Sequence, residues 1–132
     1  MFDIESIGHL IKQKMHLEDW DISIKLLNSK EMKKLTKING YAGYCELQKD
    51  RSTAFIYINN DSKDNQTEKQ RYFNLVHEFI HILCWVYVHY IDEVYPDYAS
   101  EHSSYRVDME EKMINSMARI FVEAYPLEIL LK

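Results

Sequence analysis

At 132 residues with 46% apolar composition, the chain is long enough for one domain with its own core and too short for two ordinary ones. Its 28% charged residues and the lack of any low-complexity run exclude a disordered or fibrous chain. The formal net charge of −5, with no cluster of five or more basic residues, argues against a nucleic-acid partner, and the longest apolar stretch, Ile82 to Val88, is too short to span a bilayer.

The chain opens with Met1-Phe2-Asp3-Ile4-Glu5, which has neither the positive start nor the apolar run of a signal peptide. Its two cysteines, Cys45 and Cys84, do not suggest a disulfide scaffold, so the expected location is cytoplasmic. From Glu5 to Met15, apolar residues at Ile7, Leu10, Ile11 and Met15 follow a helical period. Trp20, Ile22, Ile24 and Leu26 then alternate with Asp21, Ser23 and Lys25, which predicts a half-buried strand. Ser29 to Ile38 reads as a short helix, with Ser29 as its cap and Asn39-Gly40 as its stop. Two strands are predicted next, Tyr41 to Leu47 and Thr53 to Asn59, joined by a polar turn at Gln48-Lys49-Asp50-Arg51. In the second of them Ala54, Ile56 and Ile58 alternate with Phe55, Tyr57 and Asn59, so both faces are partly apolar.

After a polar loop, Thr67 with Gln70 forms a capping box that starts a long helix running to about Ile91. Val94 to Ser104, with Pro96, reads as a loop, and Ser104 is placed to cap a last long helix ending near Ala124, before Pro126. No repeat or linker breaks the chain, so residues 1–132 are expected to form a single domain. Its class is α+β, with a small, about three-stranded, mainly antiparallel sheet packed on helices.

The first long helix carries His77-Glu78-Phe79-Ile80-His81, an HExxH motif. Residues four apart share a helix face, so both imidazoles can bind one ion from a single rigid element. Glu78 is rotated by about 100° from His77, away from ligation and toward a water at the ion. Two ligands and a general base on one turn point to a zinc-dependent hydrolase. In a chain with 6 His such a motif arises by chance on the order of two times in a hundred. Its setting strengthens it: Leu75, Val76, Phe79, Ile80, Ile82 and Leu83 mark a buried helix, where two His and a Glu are costly without a metal or other partners. Cys84 shares the stripe of His77 and His81 and reads as a small core residue one turn below the site.

A catalytic zinc needs a third protein ligand. His89 is too far along the same helix, because eight residues are about 12 Å of rise. Glu101, His102 and Asp108 in or near the loop are possible, as are Glu110 and Glu111 on the last long helix. Helical phase alone does not choose between the two glutamates, and either could instead be a solvated carboxylate near the helix start.

The motif together with Glu111-Lys112-Met113-Ile114-Asn115-Ser116-Met117-Ala118 resembles the Glu-zincin pattern of small metallopeptidase-like proteins of phages and mobile elements, similar to the ImmA/IrrE group. In that group the third ligand is a Glu followed four residues later by Asn and then by an apolar-Ala pair, a spacing met here only from Glu111. The chain departs from the group in carrying Ile80 where a Gly usually precedes the second His. The resemblance implies a zincin-like domain with Zn2+ on His77, His81 and Glu111, Glu78 as general base, and a protein or peptide substrate. The Ala54 to Asn59 strand, if it is the sheet edge at the cleft, would pair with that substrate, and Tyr95, Tyr98, His102 or Tyr105 would stabilise the oxyanion. The competing expectation is a zinc-binding regulatory or interaction module that does not cut.

Overall fold

The computed structural model describes residues 3–38, 40–48, 51–96 and 103–132. Helix α1 spans Ile4–Lys14. The Asp3 carboxylate caps it by accepting hydrogen bonds from the Ser6 backbone N–H and hydroxyl. Ile4, Ile7 and Ile11 form its buried stripe. Strand β1 is Asp21–Leu27. Helix α2, Ser29–Thr36, is capped one residue earlier than expected. Asn28 and Glu31 form a reciprocal capping box there. Ser29 instead reaches Asn59 with its hydroxyl. The helix is closed by Lys37 in the left-handed region (φ 62°), ahead of the expected Asn39-Gly40 stop. Asn39 lies outside the described residues, as do Lys49 and Asp50 of the expected polar turn.

Strands β2 (Gly43–Gln48) and β3 (Thr53–Asn59) complete a three-stranded sheet of order β1-β3-β2. The sheet is mixed rather than mainly antiparallel: β3 runs antiparallel to β2 and parallel to β1. The parallel ladder follows from connectivity, because the chain leaves β1, crosses through α2 and lays β3 beside β1 only after β2 has turned back. Register places Ile22, Ile24 and Leu26 beside Ala54, Ile56 and Ile58, and Cys45 beside Ile56. Ala54, Ile56 and Ile58 are fully buried and face the helices, while Phe55 and Tyr57 lie half-buried on the opposite face. The central place of β3 also corrects the expectation that it forms the sheet edge at the cleft. Among the described residues β3 is paired on both sides; β1 and β2 are the edges, and β2 is the one beside the cleft.

Helix α3, Glu68–Val94, begins at the expected capping box: the Gln70 N–H donates to Thr67 Oγ1 (3.1 Å) and the Thr67 N–H to Gln70 Oε1 (3.0 Å). Helix α4 covers Ser103–Ala124, and a four-residue helix α5, Leu127–Leu130, follows Pro126. Tyr72 on α3 donates its hydroxyl to the Tyr125 carbonyl, tying α3 to the end of α4. One buried cluster joins α1, the inner sheet face, α3 and α4 through Ile7, Ile11, Ile56, Leu75, Phe79, Ile80, Ile114 and Ala118. Among the described residues no helix is long and apolar enough to cross a membrane.

Candidate metal centre

Helix α3 buries Leu75, Val76, Phe79, Ile80 and Ile82 in the core. Helical periodicity then turns His77, Glu78 and His81 toward a cleft of about 530 Å³ between β2 and α4. The two imidazoles sit one turn apart with ring centroids 5.0 Å apart. The ligand atoms of His77, Glu78 and His81 all lie within 4.8 Å of one another, a group that can hold a metal ion. Helix α4 packs against α3 and brings Glu111 over both rings. Glu111 Oε2 is 3.3 Å from His77 Nε2, and its Oε1 is 3.4 Å from His81 Nε2.

Asn115, one turn beyond Glu111, places its Oδ1 2.9 Å from His77 Nδ1. The amide oxygen accepts only, so Nδ1 carries a proton and Nε2 is the nitrogen turned to the Glu111 carboxylate. At 3.3 Å this nitrogen and the carboxylate oxygen are placed to share a proton or a cation. Ligand atoms about 2.0–2.1 Å from a tetrahedral zinc would be about 3.3–3.4 Å apart, the separations found here. The donor set of two imidazole nitrogens and one carboxylate therefore suits zinc. His81 is held below its usual pKa by burial and then by His77, against the opposing pull of Glu111, which favours the neutral, ligating imidazole.

Glu78 is buried, with Oε1 3.9 Å from His81 Nε2. Burial, and then the negative charge of Glu111, push its pKa from the usual 4.5 up to about 8. Because the folded-state pKa is raised, the metal-free fold loses stability as pH rises from about 4.5 to 8, where the unfolded chain releases this proton and the folded one retains it. Glu78→Gln should remove that penalty. Its metal-free melting temperature is expected to match wild type near pH 4 and to exceed it by roughly 5–10 °C at pH 8.5. Equal melting curves at both pH values would contradict the burial account.

The strand wall of the cleft is built by an asparagine chain. Asn65 Nδ2 donates to the Ala42 and Asn59 carbonyls (2.9 and 2.8 Å), and Asn59 Nδ2 donates to the Tyr41 carbonyl (3.1 Å). Asn74 on α3 donates to Asn65 Oδ1 (2.7 Å). These bonds fix the entry into β2, so that Gly43 lies against Glu78. A Cβ at Gly43 would come within 3.2 Å of Glu78 Oε2 and Cγ.

The four expected site residues, His77, Glu78, His81 and Glu111, are thus together. Burial, and then the charge of nearby Glu110, raise the pKa of the Cys84 thiol, and Cys84 is a buried core residue, as expected. Asp108 is exposed. Of the oxyanion candidates, Tyr95 is exposed and packs edge-on against Tyr90. Tyr98 and His102, with the ligand candidate Glu101, lie outside the described residues, and the side chains of Tyr105 and His89 are likewise outside them. The sequence reading missed the cleft wall of Tyr41, Gly43, Tyr44, Cys45 and Val107. Gly43 did carry a signal, since a glycine inside a strand often marks a close approach. Asn115 served there only as a spacing marker, although its place one turn from Glu111 already put it beside the site. Replacing Asn115 with Ala should lower zinc affinity about 10–100-fold in a competitive chelator titration while leaving the fold intact. Unchanged affinity would remove it from the site.

Compared with known proteins, the chain matches no family model, no curated protein and no solved structure.

Proposed function

We propose that this protein is a zinc-dependent peptidase of the Glu-zincin type, with zinc on His77, His81 and Glu111 and with Glu78 as general base. The observation that carries the reading is the convergence of both imidazole Nε2 atoms on the Glu111 carboxylate, 3.3 and 3.4 Å away, beside a second, buried carboxylate at Glu78. A purely structural zinc site would need no such group, and its burial is costly. The resemblance of the motif and of Glu111 to Ala118 to ImmA/IrrE-like proteins supports the same assignment.

When bound, zinc would supply Lewis acidity, polarising a carbonyl and bringing the pKa of a water to about 7. Glu78 would take the proton of a water attacking the peptide carbonyl and deliver it to the leaving amine. Burial in the slot favours a proton on Glu78 in the metal-free chain, and a dication nearby would restore the charged, proton-accepting form. Asn115 would hold His77 in the tautomer that ligates through Nε2. The β2 edge, rather than the central β3, would pair with an extended substrate chain.

The reading is tested by incubating zinc-loaded protein with a mixed peptide library and analysing the products by mass spectrometry. Cleavage that a chelator abolishes and added zinc restores is expected; a fully zinc-loaded protein that leaves every peptide intact would overturn the enzyme. Gly43→Ala should keep zinc but lower hydrolysis about tenfold or more, because the added methyl displaces Glu78. Wild-type turnover in that variant would show that the close approach is irrelevant to the base.

A further inference from the structure

The sheet has two open edges, and the metal centre lies beside only one of them. Among the described residues no strand pairs with β1 on the side away from β3. The Asp21 N–H donates to the Ser52 carbonyl (2.9 Å), and the Leu27 carbonyl accepts from the Asn60 N–H (2.8 Å), so both residues turn these groups toward β3. Backbone direction alternates along an extended strand. Ser23 and Lys25 therefore bond β3 as well, while Ile22, Ile24 and Leu26 turn their N–H and C=O groups to the open edge. A groove of about 370 Å³ runs beside that edge, lined by Ile22, Ser23 and Ile24 on β1 and by Glu5, Gly8, His9 and Lys12 on α1. Leu26 is 46% exposed. An unpaired edge of this kind is a template for another strand.

The order of residues along β1 selects the strand that fits. We propose that β1 pairs antiparallel with β1 of a second copy of this chain, about a twofold axis at Ser23, joining the two sheets into one. The run Asp21-Ile22-Ser23-Ile24-Lys25 is self-complementary about its middle. Ser23 meets Ser23. Ile22 of each copy lies opposite Ile24 of the other, and these are the residues whose backbone groups are turned outward. On the exposed face, Asp21 of each copy lies opposite Lys25 of the other, a favourable cross-strand pair formed twice. Leu26 comes opposite Trp20 of the second copy, which covers it. A twofold at Ile24 would set Asp21 against Leu27 and Lys25 against Ser23, leaving both charges unmatched, and one at Ile22 would set Lys25 opposite Asp19, outside the strand. A lone edge lysine deters pairing; with Asp21 four residues before it, Lys25 admits one partner in one register. The α1 side of the groove has the same symmetry. Glu5 and Lys12 flank Gly8 and His9, so a twofold through the middle of the groove turns Glu5 of each copy toward Lys12 of the other. The proposal is independent of the peptidase reading, because the metal centre lies beside β2 at the opposite edge.

The test is sedimentation velocity on the full chain at low ionic strength, where surface charge pairs are least screened. Wild type is expected to sediment as a concentration-dependent dimer. Lys25→Asp and Asp21→Lys each replace two attractive pairs by two repulsive ones and should each weaken dimerisation about tenfold or more. Mixing the two variants restores both opposite-charge pairs, so the mixture should dimerise where neither variant does alone, which also shows that both are folded. The double variant carrying both changes should dimerise like wild type. A wild type that stays monomeric at every concentration, its edge left to water or to a different protein, overturns the proposal. So does a dimer that neither single variant weakens, or a pair of weakened variants that mixing does not restore.

Discussion

Glu78→Gln is expected to retain stoichiometric zinc and to lose peptide hydrolysis by about 10²–10⁴-fold, the usual contribution of a positioned general base. Glutamine has nearly the shape of glutamate, so it fits the slot against Gly43 without moving β2. Its amide cannot accept and release the proton that hydrolysis must move. The same substitution should raise the stability of the metal-free fold above pH 8, because it removes a carboxylate that burial keeps protonated up to about pH 8. Opposite changes in activity and stability are the mark of a residue retained for chemistry rather than for packing. If wild type and Glu78→Gln process a peptide library at the same rate, the enzymatic reading fails.

Loss of the third ligand should be felt mainly in metal binding. Glu111→Ala is expected to weaken zinc binding about 10²–10³-fold. Apparent zinc-binding energies of about 10–16 kcal/mol are shared among three or four ligands, and about 1.4 kcal/mol is worth a factor of ten. The Glu111 side chain is nearly half exposed, so its removal leaves no cavity in the core and the apo fold should persist. The rise in melting temperature on adding zinc should shrink correspondingly, since a ligand stabilises only through its affinity for the folded state. Glu110→Ala is the matched comparison. Although adjacent, it lies toward Cys84 and should leave zinc affinity within about twofold of wild type. Unchanged affinity in Glu111→Ala, or a larger loss in Glu110→Ala, would assign the third ligand wrongly.

The parts of this molecule legible in its sequence are those set by local rules. The Thr67-Gln70 capping box, the alternation over β3 and the helical period of Ile7 and Ile11 depend on residues a few positions apart, and each appears where it was expected. The motif on α3 was readable for the same reason. What escaped depends on long-range placement. Strand order was hidden because β3 has apolar residues on both faces, a pattern that fits an edge or a centre, and only the α2 crossover makes it parallel to β1. Asn28 displaced Ser29 as a helix cap because both are good caps and the Glu31 partner decided between them. Phase along α4 left Glu110 and Glu111 equivalent. The packing of α4 on α3 separates them, turning Glu111 to the imidazoles and Glu110 toward Cys84.

The central claim, one zinc on three named side chains, is tested most directly by anomalous diffraction at the zinc edge from crystals of the zinc-loaded protein. The account predicts one strong peak in the cleft, about 2.0–2.2 Å from His77 Nε2, His81 Nε2 and a Glu111 carboxylate oxygen, with Glu78 close by but outside bonding distance. A peak ligated by Glu110 or Cys45 in place of Glu111, or no peak between α3 and α4 from protein shown to carry zinc, would contradict it.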